Sequence, residues 1–216
     1  MLWLSSKPKE AALSLTQSLT VTDATIVATI LHRWGHFKNL QSAKIQAKKY
    51  LDEHTFLRRL ERVAAHARYS YYRIPGSRAE FSGHPKKITS SLANILSVNP
   101  AAIIRREVHV PEIYTRPDAL VFMKQNGRGR CFVLEVKDHE TDQYLANKVN
   151  KWRLWKDALS YLSHTFGTKI PCFDFVVDGE TNVPGVIQFQ DYLKEIQNES
   201  DSLVHVDRVC HGSNKA

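Results

Sequence analysis

The stretch Arg116–Lys137, RPDALVFMKQNGRGRCFVLEVK, decides how the second half of the chain is expected to fold. Two apolar runs, Asp118 to Met123 and Cys131 to Lys137, flank a polar turn at Gln125-Asn-Gly-Arg-Gly129. Asn126-Gly127 is a strong hairpin signal, because both residues tolerate the positive φ that a tight turn of this hand needs. The two runs are therefore predicted to pair as antiparallel strands. In such a hairpin Asp118 and Glu135 fall at roughly paired positions on the same end. Glu135 and Lys137, two residues apart, project from one face because strand side chains alternate.

Outward from this hairpin the pattern alternates between helix and strand. Upstream, a helix is expected at Lys87 to Ser97 and a strand at Ile103 to Val110. Downstream, an amphipathic helix from about Glu140 to Ser163 buries Val149, Trp152, Trp155 and Leu159, and the apolar run Cys172 to Val177 forms the next strand. Val186 to Phe189 and Leu203 to Val206 add edge strands around a last helix, Asp191 to Gln197. The order is αβββαβ, and the domain it defines spans 87–210. The segment Gly76 to Lys87, punctuated by Gly76, Gly83 and Pro85, serves as the linker before it.

The first third of the chain is of another kind. Between Arg33 and Arg73 ten Lys/Arg stand against three acids, whereas residues 74–216 hold 18 Lys/Arg and 17 Asp/Glu, so nearly all of the formal net charge of +8 is concentrated there. Residues 1–19 show no clear period and are taken as a loosely packed lead. Thr22-Asp23 starts a helix in which Ile26, Val27, Ile30, Leu31 and Trp34 recur at helical spacing until Gly35. A short helix follows at Leu40 to Ala47. A third is expected from about Asp52 to His66, with Phe56, Leu57, Leu60, Val63 and Ala64 inward and Arg58, Arg59 and Arg62 outward. The aromatic segment Arg68 to Ile74 ends at Pro75-Gly76 and is predicted as a strand and turn. Three helices followed by a β-wing make an N-terminal winged helix-turn-helix, placed at 20–76. The fold class is thus α+β to α/β, a winged helix followed by an αβββαβ core.

A concentrated positive field on a helix-turn-helix order points to double-stranded DNA as partner. Arg58, Arg59 and Arg62 are the expected reading face. Lys44, Lys48, Lys49, Arg68 and Arg73, with Arg33 and Lys38, would mainly hold phosphates, which position a protein without reading sequence. Three cysteines, Cys131, Cys172 and Cys210, are odd in number and form no CxxC pair, so neither a disulfide framework nor a zinc knuckle is indicated and a reducing cytoplasm fits. No run is long and apolar enough for a membrane span, so no membrane partner is expected.

Two acids and a lysine converge at the end of the hairpin. Phosphodiester hydrolysis needs a hard divalent cation held by carboxylates, to polarise the phosphoryl oxygen and lower the pKa of the attacking water. Asp118 and Glu135 are the residues to hold Mg²⁺ or Mn²⁺, and Lys137 would orient the water or stabilise charge developing on phosphorus.

Pro117-Asp118 and Glu135-Val136-Lys137 within αβββαβ resemble the PD-(D/E)xK nuclease superfamily over roughly residues 87–177. The resemblance implies a metal-dependent nuclease core with Asp118, Glu135 and Lys137 catalytic. That superfamily usually carries a further Glu on the helix before the first strand. Lys87 to Ser97 has no acid, so Glu107 on the first strand is the nearest substitute ligand, with Glu112 next. A basic or amide residue on the following helix is also common there, a place Gln143 or Lys148 would fill.

Over residues 20–200 the chain is also similar to the replication-relaxation family of plasmid and mobile-element proteins. The similarity rests on Thr22 to Leu31, Leu57-Arg-Arg-Leu60, Tyr71-Tyr72, Arg116-Pro-Asp-Ala-Leu120 and Glu135-Val136. An acid usually follows there at the position taken here by Lys137. The resemblance implies a DNA endonuclease of a mobile element, its winged helix selecting the site. A homodimer, or contact with other replication, mobilisation or transposition proteins, is a further partner expectation beside double-stranded DNA. The alternative is a non-catalytic replication, mobilisation or transcription factor with an inactive core.

Overall fold

The computed structural model describes residues 7–66, 69–125 and 128–198 and is a mixed α+β structure with two sheets. It divides into two compact units, residues 1–108 and 109–216. Among the described residues no helix is long and apolar enough to cross a membrane.

The first unit opens with helix α1 (Pro8–Leu19), where a loosely packed lead was expected. Pro8 sits at the helix start, where a missing N–H costs nothing. Ala11, Ala12, Leu15 and Leu19 are buried on one face. Strand β1 (Val21–Thr22) leads to α2 (Ala24–Arg33), whose N-cap Asp23 accepts from the Ile26 N–H at 2.8 Å, so the expected start signal holds.

Helix α3 (Leu40–Phe56) then runs without a break through the two helices expected at 40–47 and from 52. It stops ten residues earlier than expected, because Leu57 to Arg59 form a left-handed exit. The N–H groups of Arg58 and Arg59 donate to the Thr55 and His54 carbonyls, with Arg58 at φ 57°. Glycine is usual at that position, and an arginine there costs roughly 1 kcal/mol. Residues that were expected to continue the helix instead form β2 (Glu61–His66), which pairs antiparallel with β3 (Tyr69–Arg73), and the sheet order is β1-β3-β2.

Helix α4 (Gly83–Val98) and strand β4 (Ile103–Arg106) belong to this same unit. The Trp34 indole N–H donates to the Leu96 carbonyl at 3.0 Å, tying α4 to the end of α2. The Arg106 guanidinium donates to the Leu19 carbonyl, the Pro85 carbonyl and the Thr89 hydroxyl at 2.6, 2.9 and 2.8 Å, so one β4 side chain holds the end of α1 and the start of α4.

In the second unit the hairpin forms as expected. Strands β5 (Ala119–Gln125) and β6 (Arg128–Val136) are antiparallel in the register Ala119↔Leu134 to Gln125↔Arg128, and Asn126 and Gly127 at the tip lie outside the described residues. Leu120, Val121, Met123, Phe132, Val133 and Leu134 are all fully buried, so both faces of this pair are covered. The expected long helix is two, α5 (Asp142–Leu154) and α6 (Ala158–Phe166), with Trp155 extended between them. They form the crossover that brings β7 (Asp174–Asp178) parallel beside β6, Glu135 pairing with Val177. Strand β8 (Ile187–Gln188) adds to β7, and a helix covers 189–198. The strand expected at Leu203 to Val206 lies outside the described residues.

Candidate functional site

Asp118 directly precedes β5 and Glu135 is the penultimate residue of β6, one register step beyond the Ala119↔Leu134 pair. The Val136 N–H donates to Asp118 Oδ2 at 2.7 Å, which fixes one carboxylate at the hairpin's open end. Glu135 is 6% exposed between buried Leu134 and Val136. Its Oε2 accepts from Lys148 Nζ at 2.6 Å, and its Oε1 is buried with no hydrogen-bond partner among the described residues. Burial pushes the Glu135 carboxyl up to about 8. The Lys148 ammonium pulls it back, and the charges of Asp118 and Glu140 raise it further.

An orphaned buried carboxylate oxygen beside a second carboxylate fits a hard cation, whose charge would take the place of the proton that burial favours. Among the described residues no three His, Cys, Asp or Glu gather as a metal shell. Two carboxylates still suit Mg²⁺ or Mn²⁺, which keep several waters and share substrate phosphate oxygens. The set does not fit zinc, which takes three or four protein ligands. Glu107, expected on a strand as a third ligand, stands after β4 in the first unit at φ 50°.

The lysines divide differently from the expectation. Lys137 lies one residue past β6, and its Nζ donates to Asp142 Oδ1 at 2.7 Å and to the Glu180 carbonyl at 2.6 Å. The Lys137 hydrogen bond, with those from Thr181 and the Asn182 N–H, holds the Asp142 carboxyl down to about 2. Gly179 makes this joint possible, because a Cβ there would sit 2.9 Å from the Lys137 Cβ. Lys137 therefore fastens the start of α5 to the loop after β7. The cation at Glu135 is Lys148, from the second turn of α5, and Gln143 is engaged with Asn147 at 3.4 Å.

Glu135 also makes stability depend on pH. In the unfolded chain it ionises near the ordinary 4.5, while in the folded protein it keeps its proton to about 8. The folded state thus binds more protons across that window, and its contribution to stability is lost as pH rises. Glu135→Gln removes the titration. In metal-free urea denaturation at pH 5, 7 and 9, the variant should gain on the parent progressively, and a pH-independent difference would contradict the burial argument.

In the first unit Lys44, Lys48 and Lys49 lie on the exposed face of α3, opposite buried Ala43, Ala47 and Leu51. The Asn39 side chain caps this helix by accepting from the Ser42 N–H at 2.8 Å. Arg58 and Arg59 are exposed in the turn after α3, and Arg62 is exposed on β2, so these three share no helix face. Arg59 is 3.6 Å from Glu10 and Arg62 3.5 Å from Asp52, both loose surface pairs. Arg73 is held by Glu61 at 3.0 Å, and Arg68 lies outside the described residues. Comparison of the chain with protein-family models, with curated proteins and with solved structures gives no match.

Proposed function

We propose that the chain is a DNA-binding protein of a mobile element and a divalent-metal-dependent DNA endonuclease. The observation that carries the catalytic reading is the buried Glu135, with one oxygen on Lys148 and the other without a partner among the described residues, at the same hairpin end as Asp118. Asp118 and Glu135 would hold Mg²⁺ or Mn²⁺, which supplies polarisation of the scissile phosphodiester and a more acidic water. Lys148 pulls the Glu135 carboxyl toward ionisation, which the bound cation would complete, and adds positive charge beside the place where phosphate charge develops. Asp118 is aimed by the Val136 N–H. Incubation with supercoiled plasmid and Mg²⁺ or Mn²⁺ should give nicked or linear product, and EDTA should prevent it.

The DNA-binding reading rests on the first unit's order α1-β1-α2-α3-β2-β3 with sheet order β1-β3-β2, the arrangement of a winged helix. In that arrangement α3 is the recognition helix and β2-β3 the wing, so the basic residues facing a duplex are Lys44, Lys48 and Lys49, with Arg58 and Arg59 at the helix exit. Each phosphate contact adds about 0.9 to the slope of log affinity against log salt. The triple variant Lys44→Ala, Lys48→Ala, Lys49→Ala should therefore flatten that slope by about 2 to 3 in anisotropy titrations on duplex DNA. An unchanged slope would remove α3 from the interface.

The resemblance to the replication-relaxation family supports a mobile-element origin, and the order β5-β6-α5-α6-β7 within the second unit supports the hairpin-crossover-strand part of a PD-(D/E)xK-like core. One observation favours the non-catalytic alternative, which is that α4 contains no acid. Duplex binding without metal-dependent cleavage would decide for it.

A further inference from the structure

A groove of about 680 Å³ opens in the second unit beside Lys148. Its wall on one side is α5 and on the other the turn 110–116, closed by paired hydrogen bonds between Val110 and Thr115. Lys148 Nζ donates to the Arg116 carbonyl at 3.3 Å and Lys151 Nζ to the Tyr114 carbonyl at 3.4 Å, so two α5 lysines hold the turn at a fixed spacing. Arg116, Lys148 and Lys151 give the lining three cations, and its described residues include no carboxylate.

Two tyrosines stand at this groove with their rings in water. Tyr114 is 84% exposed and Tyr144 52%. Tyr114 occupies the left-handed region at φ 49°, ψ 50°, which residues with a side chain rarely enter. The Lys148 ammonium lies over the Tyr144 ring, 5.6 Å from its centre, and the same ammonium binds Glu135. Lys148 therefore stands between the groove and the buried carboxylate and touches both. The Asn147 amide, exposed on α5, adds a donor and an acceptor.

Cations suit phosphates and aromatic rings suit base faces, but a duplex hides its base faces inside the stack. Rings and cations together in a concave site fit a strand whose bases are free. We propose that this groove binds an unpaired DNA strand, with phosphates on Arg116, Lys148 and Lys151 and bases stacked on Tyr114 and Tyr144. Delivery of that strand to Asp118 and Glu135 for cutting rests on the hydrolytic reading above; the binding does not. The preferred substrate is then DNA that is already melted or frayed at the cleavage point.

Full-length protein in EDTA, irradiated with a single-stranded oligodeoxynucleotide carrying 5-iodo-deoxyuridine, tests this by peptide mass spectrometry. Adducts are expected on Tyr114 and Tyr144, with the yield falling at least tenfold when the complement is annealed. Stacking contributes about 1–3 kcal/mol per base, so Tyr114→Ala and Tyr144→Ala should each weaken single-strand affinity about 5- to 150-fold. Tyr144→Phe should keep most of the affinity. Both positions are exposed, and an unchanged circular dichroism spectrum separates a lost contact from a lost fold. Adducts only outside residues 109–154, a yield indifferent to the complement, or preference for an RNA oligonucleotide of the same sequence would overturn the proposal. Absence of metal-dependent cleavage with the tyrosine adducts intact would overturn the hydrolytic reading and leave the groove standing.

Discussion

Asp118→Asn should slow Mg²⁺-dependent nicking of plasmid DNA by about a thousandfold, the several kcal/mol that a metal ion supplies at a transition state. The asparagine oxygen can still accept from the Val136 N–H, so the hairpin end keeps its geometry and only the charge is lost. Duplex affinity in the absence of metal should stay within about twofold, because that contact is assigned to α3 and its exit. Lys148→Ala should also lose most of the rate, by leaving Glu135 buried without its cation. Lys137→Ala should chiefly loosen the joint with Asp142 and Glu180. Cleavage surviving in Asp118→Asn would dismiss the site, and a rate loss confined to Lys137→Ala would return the catalytic lysine to β6's end.

Trp152→Ala should destabilise the second unit by about 3–5 kcal/mol. Trp152 is fully buried on α5, with ring centres 5.8 Å from Trp155, 6.3 Å from Tyr161 and 5.9 Å from Phe173, all near edge-on. Trp155 follows α5, Tyr161 is on α6 and Phe173 directly precedes β7, so one side chain joins three consecutive segments. Its removal leaves a cavity that three rings cannot jointly fill, and it costs the edge-to-face contacts besides. The urea midpoint should fall with little change in slope, and Trp152→Phe should recover a large part. A loss under about 1 kcal/mol would mean that the cluster closes over the gap.

The hairpin was legible in the sequence because its signals are local: an apolar run on each arm, a tight-turn dipeptide between them, and a register that follows from the loop length. This carried Asp118 and Glu135 to the same end correctly. Lys148 at Glu135 depends on how α5 packs beside β6, which no spacing within the strand encodes; Lys137, two residues away, was the nearer suggestion. In the first unit α1 was passed over because alanines at 11 and 12 make a weak apolar stripe, although Pro8 marked its start. The boundary between α3 and β2 was hidden for a different reason. Leu57, Leu60, Val63 and Ala64 keep helical spacing past the true end, and the chain turns there through an arginine where glycine would have announced the stop. The break between α5 and α6 is likewise marked by neither glycine nor proline, only by Trp155 entering the aromatic cluster.

That left-handed arginine gives residue 58 a use as a marker of selection. Glycine at 58 would relieve roughly 1 kcal/mol of backbone cost, so selection for stability alone would favour it. A lineage that keeps the side chain does so against that gradient, and on the proposed DNA-binding reading the pressure that would keep it is a phosphate contact. In laboratory evolution for thermal tolerance alone, Arg58→Gly should therefore arise early. Under simultaneous selection for DNA binding it should be purged, so that the ratio of the two outcomes measures how much the guanidinium matters to the living function.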